Sequence, residues 1–189
     1  MLPPVNGCIH LSVSAGCGGT TFALQHARNA LKEGHHVVWI CNQIPDGVRF
    51  SQIFSDISPA SVSKLHLSAV GENIEIGIQS AMDLMNALNN IALIVIDDWT
   101  TKSGRPSSNL RNQMHDLVKQ CTNNGMSLLA ISAAYENADG GGWKSRGPLD
   151  GCDVWYLHRS ELDSMIRELH IGDDVSEYTL HEEGFTPRM

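Results

Sequence analysis

The sequence predicts an α/β fold: a mostly parallel central sheet with helices on both faces and antiparallel strands at its C-terminal edge. Continuous apolar runs, typical of strands buried on both faces, alternate with amphipathic helical patterns over about the first 130 residues. A glycine-rich turn joins the first apolar run to the first helical pattern. Beyond residue 150, strand patterns follow one another without helices, which indicates an antiparallel extension. We expect residues 1–189 to form one domain, because no linker, repeat or low-complexity segment interrupts them.

The first half of the chain carries the clearest strand and helix patterns. The apolar run CIHLSV predicts the first strand, and Phe22, Ala27 and Leu31 recur at helical spacing after the glycine-rich turn. Gly34 then ends this helix, because glycine adopts the left-handed backbone common after a helix C-terminus. The run IALIVI predicts the most apolar strand of the chain. The predicted elements here are strands at 8–13, 36–41, 64–67 and 91–96, and helices at 20–32 and 75–88.

The second half contains one helical pattern followed by strands. Ser107 or Ser108 can cap a helix, because a serine hydroxyl accepts a hydrogen bond from a free backbone N–H of the first turn. A buried strand follows this helix, then a glycine-rich loop, and then three strand patterns in succession. The predicted elements are a helix from Ser107 or Ser108 to about residue 123 and strands at 126–132, 153–158, 163–171 and 176–181.

Composition excludes several classes of protein. With 42% hydrophobic and 18% charged residues the chain is not disordered, and a net charge of −8 excludes a uniformly basic coat for nucleic acid. No apolar run approaches the roughly 20 residues of a membrane helix, so we expect no membrane association. The N-terminal residues lack the basic region of a signal peptide. Five cysteines without a CxxC pair favour free thiols in a reducing compartment, and the nine histidines show no metal-ligand spacing with them.

The charges are unevenly distributed along the chain. Residues 99–111 contain three basic side chains and no acidic one, and residues 140–149 contain two basic side chains and again no acidic one. Residues 150–189 contain ten acidic and three basic side chains. The two basic segments can therefore present a local positive field on a negatively charged protein. Their basic residues are Lys102, Arg105, Arg111, Lys144 and Arg146.

The turn after the first strand lies where a phosphate-binding loop belongs. Such a loop reads GxxxxGK[ST]: glycines let backbone N–H groups surround the phosphates, Lys reaches the β and γ oxygens, and the final hydroxyl binds Mg²⁺. Here Ser14 replaces the first glycine and Thr20 replaces the lysine, while Thr21 keeps the metal-binding position. An ordinary strand–helix turn explains the glycines equally well. The candidate phosphate-binding residues are Gly16, Gly18, Gly19, Thr20 and Thr21.

A second motif is the run IALIVIDD, an apolar strand that ends in Asp97 and Asp98. In open parallel sheets, ligands bind at the carboxyl ends of the strands. In nucleotide sites, an acidic side chain at this place holds Mg²⁺. The sequence therefore predicts Asp97 as a second half of the site and, with Thr21, as a metal position if Mg²⁺-nucleotide binds.

The order of these pieces resembles the RecA-like recombinase superfamily, and within it the RadA-type recombinases and their paralogs. The resemblance implies a RecA-like core, with a phosphate loop, a strand-end acid and two DNA-binding loops. It covers nearly the whole chain, and each match is loose while the order and spacing are specific. The matching segments are residues 14–31, 37–43, 49–54, 91–100, 102–121, 137–159 and 168–187.

Three positions depart from the family pattern. Thr20 stands in place of the phosphate-binding lysine, and Gln43 in place of the glutamate that activates the attacking water. Ala134 stands near the place of the glutamine that senses the γ-phosphate. An amide cannot take a proton as a base, and phosphoryl transfer depends on positioned cations. The resemblance, with these departures, implies a degenerate Walker A motif and a pseudo-ATPase, with weak Mg²⁺-ATP binding left open.

In the family the two loops face DNA, and here they coincide with the basic segments. Cations neutralise phosphates with release of counterions, and Trp143 beside Lys144 can stack on an unpaired base. Basic residues in glycine-rich surface loops, and a tryptophan packed on the protein, are the plain alternative. Family members also carry a segment ahead of the first strand that joins subunits into a filament. The first strand begins at residue 8 here, so we expect a heteromeric partner or a dimer instead.

Three functions remain open from the sequence. The leading one is a non-catalytic recombinase paralog that assists DNA recombination and repair. It would bind single-stranded DNA in the family's manner, or a recombinase or sister paralog, in the cytoplasm at the nucleoid or in a nucleus. An unusual DNA-dependent ATPase, completed by a cation from elsewhere, is the enzyme alternative. A protein-binding regulator or scaffold on the same fold is the third.

Overall fold

The computed structural model describes residues 1–100, 106–136 and 143–188. Strands and helices alternate as the sequence predicts, and the chain finishes with strands. The strands are β1 Cys8–Val13, β2 His36–Cys41, β3 Leu65–Ala69, β4 Ile91–Asp97, β5 Ser127–Glu136, β6 Trp143–Ser145, β7 Asp153–Arg159, β8 Ile166–Ile171, β9 Asp174–His181 and β10 Gly184–Pro187. The helices are α1 Gly19–Lys32, α2 Gly47–Ile53, α3 Pro59–Val62, α4 Ile74–Ala87 and α5 Ser108–Asn124.

One twisted sheet runs in the order β10–β9–β8–β7–β1–β5–β4–β2–β3, and β6 pairs with the end of β5. The strands from β7 across to β3 are parallel, while β8, β9 and β10 are antiparallel to their neighbours. The predicted parallel sheet with an antiparallel C-terminal edge is therefore confirmed. The parallel part is covered on both faces, as such sheets require.

Two hydrophobic layers enclose the sheet. On one face Phe22 and Leu31 of α1 pack with Leu11, Trp39 and neighbouring apolar side chains, and α2 and α3 lie beside α1. On the other face α4 and α5 cover a second layer of buried residues. This layer is built from alternate strand positions, because successive side chains of a strand point to opposite faces. Its members include Val38, Ile40, Ile94, Ile96, Met114 and Leu117.

Helix α5 begins as its sequence predicts. Ser107 is the N-cap, and its hydroxyl accepts a hydrogen bond from the Leu110 N–H at 3.0 Å. Gly125 ends the helix in the left-handed conformation (φ 65°). These two residues fix the position of Arg111, which lies in the first turn.

Four short elements are absent from the sequence prediction. Helices α2 and α3 have only seven and four residues, too few for a periodic pattern. Strand β6 has three residues and exists through its antiparallel pairing with β5, which continues to Glu136 instead of ending near residue 132. Strand β10 has four residues and pairs with β9. Strands β6 and β10 form because they pair with β5 and β9, and such pairing leaves no periodic pattern in the sequence.

No helix among the described residues is long and apolar enough to cross a membrane. All five cysteines are free; four are buried and Cys152 is half-buried. This agrees with the free thiols expected from the sequence.

Gly77 of α4 tests the packing of helix on sheet. A Cβ at this position would lie 2.3 Å from Ile40 Cγ2 of β2, which no real contact tolerates. We expect Gly77→Ala to lower the free energy of unfolding by about 1–3 kcal/mol through overpacking, measured by urea denaturation. Gly47→Ala is the control, because a Cβ there would have no atom within 4 Å. Equal stability of the two variants would contradict the close approach of α4 to β2.

Candidate functional site

The glycine-rich turn forms a loop between β1 and the N-terminus of α1. Gly16 and Gly18 have φ angles of 70° and 92°, in the left-handed region that glycine adopts without strain. The Gly18 carbonyl accepts a hydrogen bond from Phe22, so the helix starts at the loop itself. The first backbone N–H groups of α1 therefore face the carboxyl end of the sheet, where they favour an anion. Gly19 is the first helical residue.

The C-terminal strands pack against this loop. A Cβ on Gly18 would lie 3.0 Å from Leu180 Cδ2 of β9 and 3.1 Å from Phe185 Cζ of β10. Gln25 of α1 accepts a hydrogen bond from the Phe185 N–H at 2.8 Å, and its amide donates to the Phe185 carbonyl at 3.3 Å. The closing hairpin therefore packs directly on the turn at Gly18. A side chain at Gly18 would crowd Leu180 and Phe185 and would also strain the left-handed backbone.

A cavity of about 190 Å³ lies between the start of α1 and the ends of β2 and β4. It is smaller than the roughly 300–1,000 Å³ of typical ligand pockets. No lysine or arginine of the described segments lines it. The described residues around it fit a single polar group or a hydrated cation, and they do not fit a whole Mg²⁺-nucleotide. Its lining residues are Thr20, Cys41, Asn42, Gln43, Asp97 and Asp98.

The residue that replaces the lysine binds the strand-end acid directly. The Thr20 hydroxyl donates a hydrogen bond to Asp97 Oδ2 at 3.0 Å. Thr21, predicted beside Asp97 as the metal position, is buried with only 6% of its surface exposed. The structure thus brings Thr20, Gln43 and Asp97 together. The use of Thr21 and Asp97 as metal positions for a bound Mg²⁺-nucleotide stays a prediction.

Asp97 is a buried carboxyl with an altered proton affinity. Only 7% of the residue is exposed, and burial raises its pKa to about 6. The hydrogen bond from Thr20 opposes this shift, and the nearby charge of Asp98 adds to it. The backbone at Asp98 is left-handed (φ 60°), and its carbonyl accepts a hydrogen bond from the Asn42 amide at 2.9 Å. The carboxyl end of β4 is therefore held in one defined turn.

Sequence reasoning missed a cation next to the phosphate loop. The Arg159 guanidinium at the end of β7 lies 3.8 Å from the place that a Cβ of Gly16 would occupy. Arg159 is exposed, and Arg167 lies opposite it in the β7–β8 ladder. Burial raises the pKa of the Cys17 thiol in this loop, although both arginines oppose the shift. Only the pairing of β7 beside β1 could have identified Arg159, because its sequence neighbours carry no motif.

Ala134 lies outside the small cavity, within β5 and opposite Ser145 of β6. Its methyl group offers no hydrogen bond, as expected for that position. The neighbouring Ser132 is occupied elsewhere: its hydroxyl lies 2.7 Å from His10 Nε2 in the buried centre of the sheet.

Two of the predicted DNA-binding residues meet in one cleft beyond the end of β5. Arg111 of α5 and Arg146 after β6 line it together with His115 and Tyr135. The Arg146 guanidinium carbon lies 5.9 Å from the Tyr135 ring centroid, and 41% of Tyr135 is exposed. Arg146 Nε is buried without a hydrogen-bond partner among the described residues. We call this group of four side chains the basic cleft; Asp150 lines the same cavity.

The other predicted DNA-binding residues have different places. Lys144 is exposed on β6, directly opposite Tyr135 in the antiparallel pair. Trp143 is half-buried, and its indole stacks on His158 with ring centroids 5.2 Å apart. A nucleic-acid base would therefore find part of Trp143 already covered, whereas Tyr135 is more open. Lys102 and Arg105 lie outside the described residues.

Trp99 connects the small cavity with the basic cleft. It follows Asp97 and Asp98, is 1% exposed, and donates its backbone N–H to the Ile131 carbonyl at 3.0 Å. A Cβ on Gly147 would lie 2.8 Å from its ring and 3.0 Å from Pro106. Gly147, which lines the same cavity as the basic cleft, therefore packs closely on Trp99, the residue that follows Asp97 and Asp98.

Comparison with solved structures identifies the fold of this chain. The chain is similar to a RadB recombinase (16% identity, TM-score 0.70, 96% of this chain and 90% of that one). It is also similar to a KaiC-like protein from the archaeon Pyrococcus horikoshii (18% identity, TM-score 0.73, 100% and 92% covered). The fold is RecA-like. A third similar structure is a DnaB-like replicative helicase, of which this chain spans 57% (13% identity, TM-score 0.69, 97% of this chain covered).

At these identities the likeness establishes the RecA-like fold alone. No protein-family model matches the sequence, and a search of the curated proteins gives no match. The phosphate loop, the strand-end acid and the basic cleft all lie at the carboxyl edge of the parallel strands, where ligands bind in open α/β sheets.

Asp97 gives a pH test of this site. Its folded pKa of about 6 exceeds the ordinary value of 3.8, so folded protein retains a proton that unfolded protein releases between about pH 4 and 6. Stability is therefore lost as pH rises through this window, and the loss is complete above it. We expect Asp97→Asn to raise the free energy of unfolding above pH 6 by about 1–3 kcal/mol, since one pKa unit is about 1.4 kcal/mol.

Urea denaturation from pH 4 to 8 measures this effect, and the gain should vanish towards pH 4. Thr20→Val is the matched variant: it keeps the shape but removes the hydroxyl that stabilises the carboxylate. It should make the loss of stability with rising pH steeper than in the wild type. The contribution of Asp97 is the unfolding free energy of the wild type minus that of Asp97→Asn. If this difference rises between pH 4 and 6, the description is refuted.

Proposed function

We propose that this protein is a non-catalytic RecA-like paralog that binds single-stranded DNA through the basic cleft and the adjoining loops. In this role it assists DNA recombination and repair, together with a recombinase or a sister paralog. The protein acts where DNA is exposed, at the nucleoid or in a nucleus. The residues concerned are Arg111, Tyr135, Lys144 and Arg146, with Lys102 and Arg105 of the first loop.

The observation that carries this proposal is the meeting of two arginines and an exposed tyrosine in one cleft. Arg111 and Arg146 come from segments more than thirty residues apart, and both line the cleft beside Tyr135. Guanidinium groups neutralise phosphates, while an aromatic ring holds an unpaired base of any sequence. The orphaned Nε of Arg146 supplies a donor that a phosphate oxygen would satisfy. This combination suits a single strand better than a duplex.

The small cavity supports a non-catalytic role. Thr20 and Gln43 face the same space as Asp97, so the lysine and glutamate positions of the family are both filled by uncharged side chains. Asp97 is hydrogen-bonded by Thr20, and its raised pKa disfavours the charged form that Mg²⁺ needs. Without a basic carboxylate or a lysine, the main positioning and electrostatic contributions to phosphoryl transfer are lacking.

Arg159 favours the second candidate, a protein that binds or hydrolyses a nucleotide with a cation from another strand. Its guanidinium lies beside Gly16, at the loop where phosphates bind in the fold's nucleotide-binding members. An arginine can hold a phosphate bidentately, so Arg159 could replace the missing lysine in binding. It does not replace the missing base at Gln43.

Titration with labelled single-stranded DNA tests the main proposal. Wild-type protein should bind without ATP and more weakly as salt rises. Arg111→Ala/Arg146→Ala should bind more weakly, and its slope of log affinity against log salt should be shallower by about 0.7 for each lost phosphate contact. Tyr135→Ala should lose about 1–3 kcal/mol of binding free energy, whereas Tyr135→Phe retains the ring and the affinity.

Arg188→Ala is the matched control for charge. Arg188 follows β10 at the far edge of the sheet and pairs with Glu177 at 3.7 Å, so its loss removes one positive charge away from the cleft. Equal losses of affinity in the control and in the cleft variants would refute the assignment of the cleft. Unchanged binding in all variants, or no binding by the wild type, would favour a protein-binding scaffold.

Labelled ATP separates the two candidates. The main proposal expects no hydrolysis above background, with or without DNA. Hydrolysis that is lost in Asp97→Ala would overturn it in favour of the enzyme. Binding without hydrolysis that is lost in Arg159→Ala would establish a nucleotide sensor with a substituted cation, leaving the DNA cleft to be judged by its own variants.

A further inference from the structure

The face of the β7–β8 ladder that turns towards β6 carries two histidines and a glutamate. His158 stands directly opposite Glu168 in the antiparallel register, and His170 follows Glu168 on the same face. Glu168 Oε2 lies 3.2 Å from His170 Nε2 and 4.0 Å from His158 Nε2. One nitrogen or oxygen of each side chain lies within 4.8 Å of the others, the one such group of three among the described residues.

We propose that His158, Glu168 and His170 form a Zn²⁺ site. Two imidazoles and one carboxylate are a ligand set that Zn²⁺ adopts, with the fourth position left to water or a further ligand. Zinc bonds of about 2.0–2.1 Å in tetrahedral geometry put neighbouring ligand atoms roughly 3.3 Å apart. The His170–Glu168 separation matches this value, although it is now a hydrogen bond donated by His170 Nε2, whose proton Zn²⁺ would displace. The His158–Glu168 separation exceeds the value by less than one ångström.

The hydrogen bonding of His158 leaves the correct nitrogen available. Its Nδ1 lies 3.1 Å from the Arg159 carbonyl, which only accepts, so Nδ1 carries a hydrogen. Nε2 is then the ring nitrogen left for a metal, and it lies 4.0 Å from Glu168 Oε2. A backbone carbonyl that fixes the tautomer of a histidine in this way is typical of metal ligands.

The surroundings of the group suit a metal that enters from solvent. The His158 side chain is 8% exposed, while those of Glu168 and His170 are 21% and 31% exposed. The Ser160 hydroxyl lies near Glu168 and favours its charged form, which lowers the pKa of the carboxyl that both histidines approach. The Trp143 indole stacks on His158, so β6 lies against the same group. The spacing of histidines and cysteines along the sequence does not reveal this site, because its three residues come together only through the pairing of β7 with β8.

Zinc titration of the chelator-treated full chain against a chromophoric chelator tests the site. Wild-type protein should bind one Zn²⁺ per chain and gain thermal stability on binding. Glu168→Gln and His170→Asn should each abolish this stoichiometric site, with both variants shown to be folded by circular dichroism. Ser160→Ala keeps the ligands but loses the hydroxyl near Glu168, so it should bind Zn²⁺ about 10–100-fold more weakly.

His181→Asn is the matched control, because His181 is exposed on β9 and bonds only Thr179 among the contacts described. It should bind Zn²⁺ as the wild type does. A wild type without stoichiometric binding, or folded Glu168→Gln and His170→Asn variants that bind like the control, would overturn the proposal and leave a metal-free His–Glu–His cluster.

Trp143 reports where the metal binds. Co²⁺ at this site should quench Trp143 fluorescence through the stacked His158 ring, and the quenched component should be absent in Trp143→Phe while Zn²⁺ still binds. Equal quenching in the wild type and in Trp143→Phe would place the metal elsewhere and overturn the assignment. Neither outcome depends on DNA or nucleotide binding, so this test stands apart from the proposed function.

Discussion

The parallel pairing of β1 with β5 on one side and β7 on the other is the constraint on which every candidate site depends. Val13, the last residue of β1, lies opposite Ala133 and Leu157, and the Ser14 N–H continues the ladder to the Leu157 carbonyl. The glycine-rich loop therefore begins beside the C-terminal ends of β5 and β7. The end of β5 contributes Tyr135 to the basic cleft, and the end of β7 carries His158 and Arg159. Buried strands cannot leave backbone groups unpaired, so this register is strongly specified.

Asp97 shows what burial without a neighbouring cation does to an acid. A carboxylate at 7% exposure is costly unless a cation or several donors compensate it. Thr20 supplies one donor, and the remaining penalty appears as a raised pKa. Restoring only the charge would leave the amide of Gln43 in the same cavity. Thr20 and Gln43 therefore differ in what they contribute: Thr20 donates a hydrogen bond to the carboxyl, and Gln43 is an amide that cannot act as a base.

Local patterns were enough to predict the alternating strands and helices, because continuous apolar runs and helical spacing report burial directly. The sequence also identified Arg111 and Arg146 from their charge, but their meeting with Tyr135 depends on β6, a strand of three residues that exists through pairing. Arg159 and the His158–Glu168–His170 group depend on register between strands. The contact of Thr20 rather than Thr21 with Asp97 depends on the exact phase of the first helical turn, which the motif alone does not give.

The net charge of −8 is compatible with nucleic-acid binding because the acids and the cleft are separated along the chain. Ten acidic residues lie in residues 150–189. Asp150 lines the same cavity as the basic cleft, and the other nine follow in the segment that forms β7 to β10 and their turns. Salt screens exposed charges that lie more than about 10 Å apart at 0.1 M. The acidic strands oppose the long-range attraction of any polyanion to the chain.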